Sequence, residues 1–590
     1  MNRRNPHWMN GHSHPLPYPI WRTLLPEAVW REALLVSTPE LRGRVATEIC
    51  IIGAGLTGLS VAYHLARAGK GVVVLDAMGG SGPEEPRHFG ESLRTPALLT
   101  QVVAAGYAAM IRHHGFKGAQ RVAESHGRAI DDVEETIALE RLECGFARVD
   151  ASLFLAPGEP WARLERELHS AHMAGLRGAE WRDDLPIPGL DVGPGIRYPR
   201  QARLSPVPYL VGLRRAVERY GGRIFGGTRV HRLESRGSRE SEEGAGHRVE
   251  TAGGDEVLAQ AVVIATHVPL NDRFAIHSKQ EARRTHLLAV AIPRGSVPDL
   301  LLHEFAAPWP GHSIRVLPGN DGRDLLVVSG EDHRVGFDCG SREEASRWRR
   351  LEWWARERFP MAEEIVAAWT MQTLVTTDGI GFIGRKPYES PGVYVASGDN
   401  GIGLTHSAVA GRLLSDLILH GESPWEALYD PARFDRVFPS SGLGRRLRDI
   451  AEVALCYGDY LHGNADDHPV EALGTLAPGE GRRLESAGRQ LACYRDEEGT
   501  LHCFSAVCPH MKGLVRWNAT EKTWDCPCHG SRFDAGEGEV INGPATEGLA
   551  PAEIPTSESG KQSVVPEKVK KIAGKMVKGI QQALLARHNG

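Results

Sequence analysis

"ATEICIIGAGLTGLSVAYHLARAGKGVVVLDA" (residues 46–77) decides the fold. An apolar run leads into Gly53-Ala54-Gly55-Leu56-Thr57-Gly58, a helical pattern follows, and a second apolar run ends at Asp76. Strand, glycine-rich turn, helix and strand form the context in which G-x-G-x-x-G marks a dinucleotide site. Gly53 permits the tight turn, Gly55 lets the backbone approach a pyrophosphate, and Gly58 allows close packing of helix on strand. The helix N-terminus at Leu56 and Thr57 then faces the phosphate charge, and Asp76 accepts from ribose hydroxyls.

The glycine motif does not by itself separate FAD from NAD. A second stretch, "GVYVASGDNGIGLTHSAVAGRLLSDLI" (392–418), adds another strand, glycine-rich turn and helix. A helix starting near Leu404 points its positive end at whatever lies against Gly401–Gly403. A reduced isoalloxazine carries negative charge at N1/C2=O and suits such a helix end. Around these words lie "QARLSPVPYLVGLRRAVERYGGRIFGGTRV", "VVIATHVPLND" and "TTDGIGFIGRKP". Together they make residues 46–436 resemble the D-amino-acid oxidase/glycine oxidase family of FAD enzymes, especially its gamma-glutamylputrescine oxidase-like branch. The resemblance implies that Gly53, Gly55, Leu56, Thr57, Gly58 and Asp76 hold the ADP half of FAD. It implies that Val230 holds the adenine through its backbone, and that Gly401, Ile402, Gly403, Leu404 and Thr405 line the flavin ring. The chain departs from the family at an acidic, Pro-containing insertion before Gly90-Glu91-Ser92. It departs again at Ser205-Pro206 and at Asp399, where a hydrophobic or aromatic residue is common.

The second informative stretch is "CPHMKGLVRWNATEKTWDCPCHGS" (508–531). Structural zinc takes ligands as C-x2–4-C pairs closed tetrahedrally. Here each cluster offers one Cys and one His, at C-x-H and C-x-x-H, which suits two irons held by different ligand types. With "WDCPCHGSRFD" and "INGPA", residues 471–550 resemble a Rieske [2Fe–2S] domain. The resemblance implies that Cys508 and Cys526 bind one iron, that His510 and His529 bind the other, and that Cys528 is no ligand. In respiratory Rieske proteins a disulfide links the cluster loops, but the position facing Cys528 is Gly513. The Tyr that usually follows "HGS" is Phe533, and Ser531 remains as a donor to a bridging sulfide. Fewer donors to the sulfurs predict a potential below the respiratory range.

The bulk properties agree with these motifs. At 590 residues the chain is too long for one compact core, and length alone suggests roughly three to four domains. A net charge of −5 offers no broad basic surface for nucleic acid. No run of about 18 apolar residues reads as a membrane span. The N-terminal Arg pair lacks an apolar region behind it, so a cytoplasmic location is expected. Six of the nine cysteines are scattered and three cluster, a pattern for a local metal site in a reducing compartment.

The expected fold is an α/β Rossmann-like FAD-binding domain with an interleaved α+β substrate domain, followed by an all-β Rieske domain. Residues 1–45 read as an extension and 46–436 as the oxidoreductase. Its FAD-binding parts lie at about 46–150, 205–272 and 375–436, and its substrate parts at 151–204 and 273–374. A linker at 437–470 leads to the Rieske domain at 471–556, and a basic amphipathic tail follows at 557–590. Buried strands are expected at 261–268, 324–332 and 392–399. The tail places Val569, Ile572, Met576, Ile580 and Leu584 at helical spacing, with lysines on the other face. Packing on protein is preferred there over contact with an anionic membrane.

His267, His333 and His406 are read as packing or hydrogen-bonding residues. Arg385 and Gln372 are read as structural rather than as anchors for a substrate carboxylate. Hydride transfer from a C–H next to nitrogen needs orientation more than a base, so no catalytic base is named. The expected function is FAD-dependent oxidation of a small amine or amino acid, with electrons relayed through the Rieske cluster to an external one-electron acceptor. One alternative is an NAD(P)H-linked flavin–Rieske reductase, which needs a second G-x-G-x-x-G that the sequence lacks. Another is a non-catalytic electron carrier or scaffold.

Overall fold

A computed structural model describes residues 18–82, 88–185, 193–235, 246–270, 276–306, 311–319, 321–337, 341–433, 468–486 and 488–553. The acidic stretch before Gly90, most of the Ser/Gly-rich loop at 235–247, the linker and the C-terminal tail lie partly or wholly outside these residues.

The first sheet is built on Arg44–Ile52, which pairs in parallel with Glu256–Ile264 on one side and Val72–Leu75 on the other. Val393–Ser397 extends it in parallel beyond Glu256–Ile264, and Phe382–Arg385 closes that edge antiparallel. Arg223–Phe225 extends the other edge. The central strands are Val/Ile/Leu-rich and buried on both faces, as a parallel sheet covered by helices requires. The helix Leu56–Arg67 follows the first strand, and Gly403–His420 follows Val393–Ser397. These two helices pack through small residues. The Thr57 and Ser407 hydroxyls are hydrogen-bonded at 2.8 Å, and a Cβ on Gly411 would collide with Ser60.

The strand expected at 261–268 ends at Ile264. Beyond it Ala265 turns over Gly53, and His267 takes a left-handed φ of +63° that no strand continues.

Among the described residues the second sheet has nine strands. Ile365–Thr376, Gln280–Pro293, Arg323–Arg334, Ser313–Pro318, Leu301–Phe305, Ala147–Leu155, Gly195–Arg203 and Leu98–Leu99 follow in that order, and Glu180–Arg182 sits on Gly195–Arg203. Its Leu98–Leu99 and Ala147–Leu155 strands arise within the stretch assigned from sequence to FAD binding. Part of the N-terminal extension is structured. Trp21 and Trp30 are buried in the main core, and the Trp21 indole N–H donates to Thr95 O at 3.0 Å.

The chain divides into two compact units, and the division does not follow the sequence. One contains residues 1–269, 283–332 and 345–433, and the other contains 434–590 together with Leu270–Ala282 and His333–Glu344. The described part of the second unit carries two four-stranded sheets. The meander Gly481–Ser486, Arg489–Arg495 and Leu501–Ser505 forms most of one. Arg516–Asn518, Thr523–Asp525, Arg532–Asp534 and Val540–Asn542 form the other. The core between them holds Phe504, Leu514, Trp524 and Phe533 along with Cys508, Cys526 and Cys528.

Candidate functional site

The first candidate site lies at the carboxyl ends of the parallel strands, where a dinucleotide binds in an open α/β sheet. Gly53 has φ +107°, and a Cβ there would lie 2.5 Å from Ala265 O. A Cβ on Gly58 would overlap Gly53 O, so helix and turn pack backbone to backbone. Gly55 ends the turn, and the helix begins at Leu56 with no side-chain cap from Gly55 itself. Ser92 Oγ accepts the Leu56 N–H at 3.0 Å. Asp76 is held by two backbone donors, Ala54 N–H to Oδ2 at 2.6 Å and Met78 N–H to Oδ1 at 2.7 Å. Burial pushes its carboxyl up, and those N–H groups oppose the shift.

The second helix end is open. Gly401 has φ +77° with no atom within 4 Å of a Cβ built on it, and Gly403 meets only Asp399 Oδ2 at 3.5 Å. The Gly403–His420 helix starts without a side-chain cap, leaving its first N–H groups and positive end facing that space. A flat anionic ring fits this uncapped cradle, and a pyrophosphate fits the turn at Gly53–Gly58. Leu404 and Thr405 contribute differently from Gly401–Gly403. Leu404 is in the core, and Thr405 Oγ1 is bound to the backbone of Thr100, accepting its N–H at 3.0 Å and donating to its carbonyl at 3.2 Å. These two residues offer the space their backbone only. Val230 starts a strand and is buried.

Acidic residues gather beside the cradle. The Leu374 N–H donates to Asp399 Oδ1 at 2.8 Å, and the Gln372 N–H donates to Glu91 Oε2 at 2.8 Å. Burial pushes the Asp399 carboxyl up, His267 opposes this, and Glu91 adds to it. His267 Nε2 is buried without a hydrogen-bond partner. No local pattern in the sequence marks Glu91, because its neighbour Gln372 arrives from a distant strand.

Other tempting residues resolve into structural roles. His406 is buried against Gly381, and burial lowers its pKa to about 3. Arg385 pairs with Glu426 and donates to Gly421 O at 2.7 Å.

The metal-site candidates converge in the second unit. Two tight turns present the ligands, closed by Lys512 N–H to Cys508 O at 2.9 Å and Gly530 N–H to Cys526 O at 3.0 Å. The neighbouring Cys526 and burial push the Cys508 thiol up, and Ser531 opposes the shift. Ser531 Oγ accepts the Ala545 N–H at 3.1 Å, which leaves its own proton for a sulfur. His510 and His529 stand with ring centroids 5.1 Å apart and planes at 82°. His529 Nδ1 is buried and has no hydrogen-bond partner. Burial first, then His277, His510 and Arg334, hold His529 well below the usual imidazole range. It is therefore the neutral imidazole that a metal requires. Two thiols and two imidazoles brought together fit a cluster with unlike irons. Gly513 lies so close to Cys528 that a Cβ there would touch its sulfur.

Two segments distant in sequence complete this site. His277 lies against both ligand candidates, with ring centroids 5.5 Å from His510 and 5.4 Å from His529. A Cβ on Gly336 would lie 2.7 Å from Pro527, and the Thr520 hydroxyl donates to Glu344 at 2.5 Å. Sequence reading missed His277, since nothing in its neighbourhood has ligand spacing.

Comparison with known proteins agrees with this geometry. The model of the FAD dependent oxidoreductase family DAO matches residues 48–417, and that of the Rieske [2Fe-2S] domain matches 467–556. The putative Rieske 2Fe-2S iron-sulfur protein YhfW of Bacillus subtilis is 30% identical over 529 residues, 89% of this chain and 97% of that protein. Among solved structures, glycine oxidase from Geobacillus kaustophilus superposes with a TM-score of 0.53 at 19% identity. It covers 66% of this chain and 99% of its own. L-proline dehydrogenase from P. horikoshii gives 0.51 at 18% identity, covering 68% and 99%. Among the described residues no helix is long and apolar enough to cross a membrane. The chain belongs to the DAO family of FAD-dependent oxidoreductases and carries a C-terminal Rieske [2Fe–2S] domain.

Proposed function

We propose that the protein oxidises a small amine or amino acid and delivers the electrons singly to an external acceptor. The observation that carries this reading is the joining of a two-electron flavin fold and a one-electron Rieske domain in one chain. FAD supplies hydride acceptance at N5, and the cluster supplies one-electron transfer. The chain's own residues bind and orient. Gly53, Gly55, Leu56, Thr57, Gly58 and Asp76 are assigned to the ADP half of FAD, with Val230 at the adenine. Gly401, Ile402 and Gly403, with the backbone of Leu404 and Thr405, are assigned to the flavin ring. Cys508 and Cys526 are assigned to one iron, His510 and His529 to the other.

An oxidase that hands electrons directly to O₂ has no need of an iron–sulfur relay, so dehydrogenase-like turnover is the preferred form. The glycine oxidase and L-proline dehydrogenase folds support an amino-acid-like substrate class. The test is an anaerobic screen of amines and amino acids with the FAD-loaded holoprotein. Bleaching of the flavin by one of these substrates, and none by NADH, is the expected result. Bleaching by NADH alone would replace this reading with that of a reductase.

A further inference from the structure

Cys493 and Cys503 stand directly opposite each other on the antiparallel strands Arg489–Arg495 and Leu501–Ser505. Flanking hydrogen bonds fix what kind of pair they form. The Ala506 N–H donates to Gln490 O at 2.8 Å at one end, and the Asp496 N–H donates to Thr500 O at 2.9 Å at the other. Hydrogen-bonded and non-hydrogen-bonded pairs alternate along such a ladder. Counting inward from either end makes Cys493–Cys503 a non-hydrogen-bonded pair, the closer kind, with Cα atoms about 4.5 Å apart. A disulfide accepts Cα separations of about 4.4–6.8 Å, so no strand has to move for the sulfurs to join.

Both cysteines are free in the structure and face each other across the ladder. They are chemically unequal. Cys493 is fully buried, whereas Cys503 is half-buried on the outer strand of its sheet. The facing Cys493 thiol holds Cys503 below the usual thiol range, and Cys503 together with burial pushes Cys493 up. Cys503 is thus the better nucleophile and Cys493 the resolving thiol. The pair also stands apart from the candidate iron ligands. It packs with Leu484, Leu491 and Ala552, while the alternate residues Ala492, Tyr494 and Phe504 face the core that contains Cys508 and Cys526.

We propose that Cys493 and Cys503 form a dithiol–disulfide site that reacts with hydrogen peroxide. The Cys503 thiolate attacks one peroxide oxygen, the O–O bond breaks, and hydroxide leaves and takes a proton to become water. The resulting sulfenic acid is attacked by the Cys493 sulfur. The S–S bond forms, and the sulfenic hydroxyl leaves with the Cys493 proton as a second water. In sum, two thiols lose two electrons and two protons, and one peroxide becomes two waters.

The test uses the cluster-loaded full-length protein. It is treated with one equivalent of hydrogen peroxide, quenched, alkylated under denaturing conditions and mapped by mass spectrometry. The expected result is a Cys493–Cys503 disulfide in most molecules while the visible spectrum of the cluster persists, with full reversal by dithiothreitol. In Cys493→Ser, Cys503 should be trapped by dimedone as the sulfenic acid. Cys503→Ser should give no product at Cys493. Retention of both free thiols at ten equivalents would overturn the proposal. So would a disulfide that appears only in step with cluster loss, because unfolding would then have brought the sulfurs together.

Discussion

His277 places its imidazole 5.4 Å from that of His529, although it belongs to the sequence matched by the FAD-dependent oxidoreductase family. It is itself buried, and it contacts His510 as well. A residue far from any ligand motif therefore lies against both candidate imidazole ligands. Arg334, from the second inserted segment, adds positive charge near the same ring.

These two neighbours should act on the cluster potential in opposite senses. Reduction adds negative charge to the cluster. Arg334→Gln removes a nearby positive charge and should lower the potential by about 20–60 mV, where about 59 mV corresponds to a tenfold change for one electron. His277→Ala admits water to the ligand edge and should raise the potential by a similar order. Redox titration followed by EPR measures both, and shifts of the same sign would contradict this description of the site.

Gly513 tests the loop contact. Gly513→Cys puts a second sulfur against Cys528, close enough for a disulfide between the cluster loops. Alkylation and mass mapping after air oxidation should show that bond. The unmodified protein should titrate below about +250 mV, toward the lower part of the Rieske range of roughly −150 to +300 mV.

The glycine turn gives a graded prediction. At Gly58 an added Cβ meets backbone that cannot yield, whereas at Gly55 it meets only Ser92 Oγ, at 2.8 Å. Gly58→Ala should destabilise the protein by about 1–3 kcal/mol and yield apoprotein. Gly55→Ala should fold, with a melting temperature near that of the parent and weaker FAD retention. Thermal unfolding and bound-flavin absorbance separate the two effects.

Asp378 and Arg433 form a buried bidentate pair, with Nε–Oδ2 at 2.7 Å and Nη2–Oδ1 at 2.8 Å. Arg433 holds Asp378 below the usual carboxylate range despite burial. A depressed folded-state pKa gives stability that is present above the unfolded value of about 3.9 and lost as pH falls through the folded one. Arg433→Met leaves the carboxylate buried and should cost about 3–5 kcal/mol at pH 7. Its penalty should shrink toward pH 3 in denaturant melts.

What the sequence reveals of this protein is what lies close together along it. Gly53 to Asp76 form one strand–turn–helix–strand unit, and the turns at Cys508 and Cys526 are close in sequence, so spacing together with the family resemblance marks both. The contacts of His277 with His529 and of Glu91 with Gln372 join segments far apart in the chain, where no periodicity records them. Trp21 and Trp30 fill the main core from a segment whose Pro-rich pattern shows no period. The resemblance has Thr405 lining the flavin ring, and the sequence does not show that the Thr100 backbone holds its hydroxyl.

Electrons taken up by the flavin should reach the Rieske centre. Anaerobic single-turnover mixing of the holoprotein with a substrate that bleaches the flavin, freeze-quenched for EPR, tests it most directly. The reduced-cluster signal should grow after flavin bleaching, at a rate independent of protein concentration. Complete flavin reduction with a cluster that stays oxidised would contradict it.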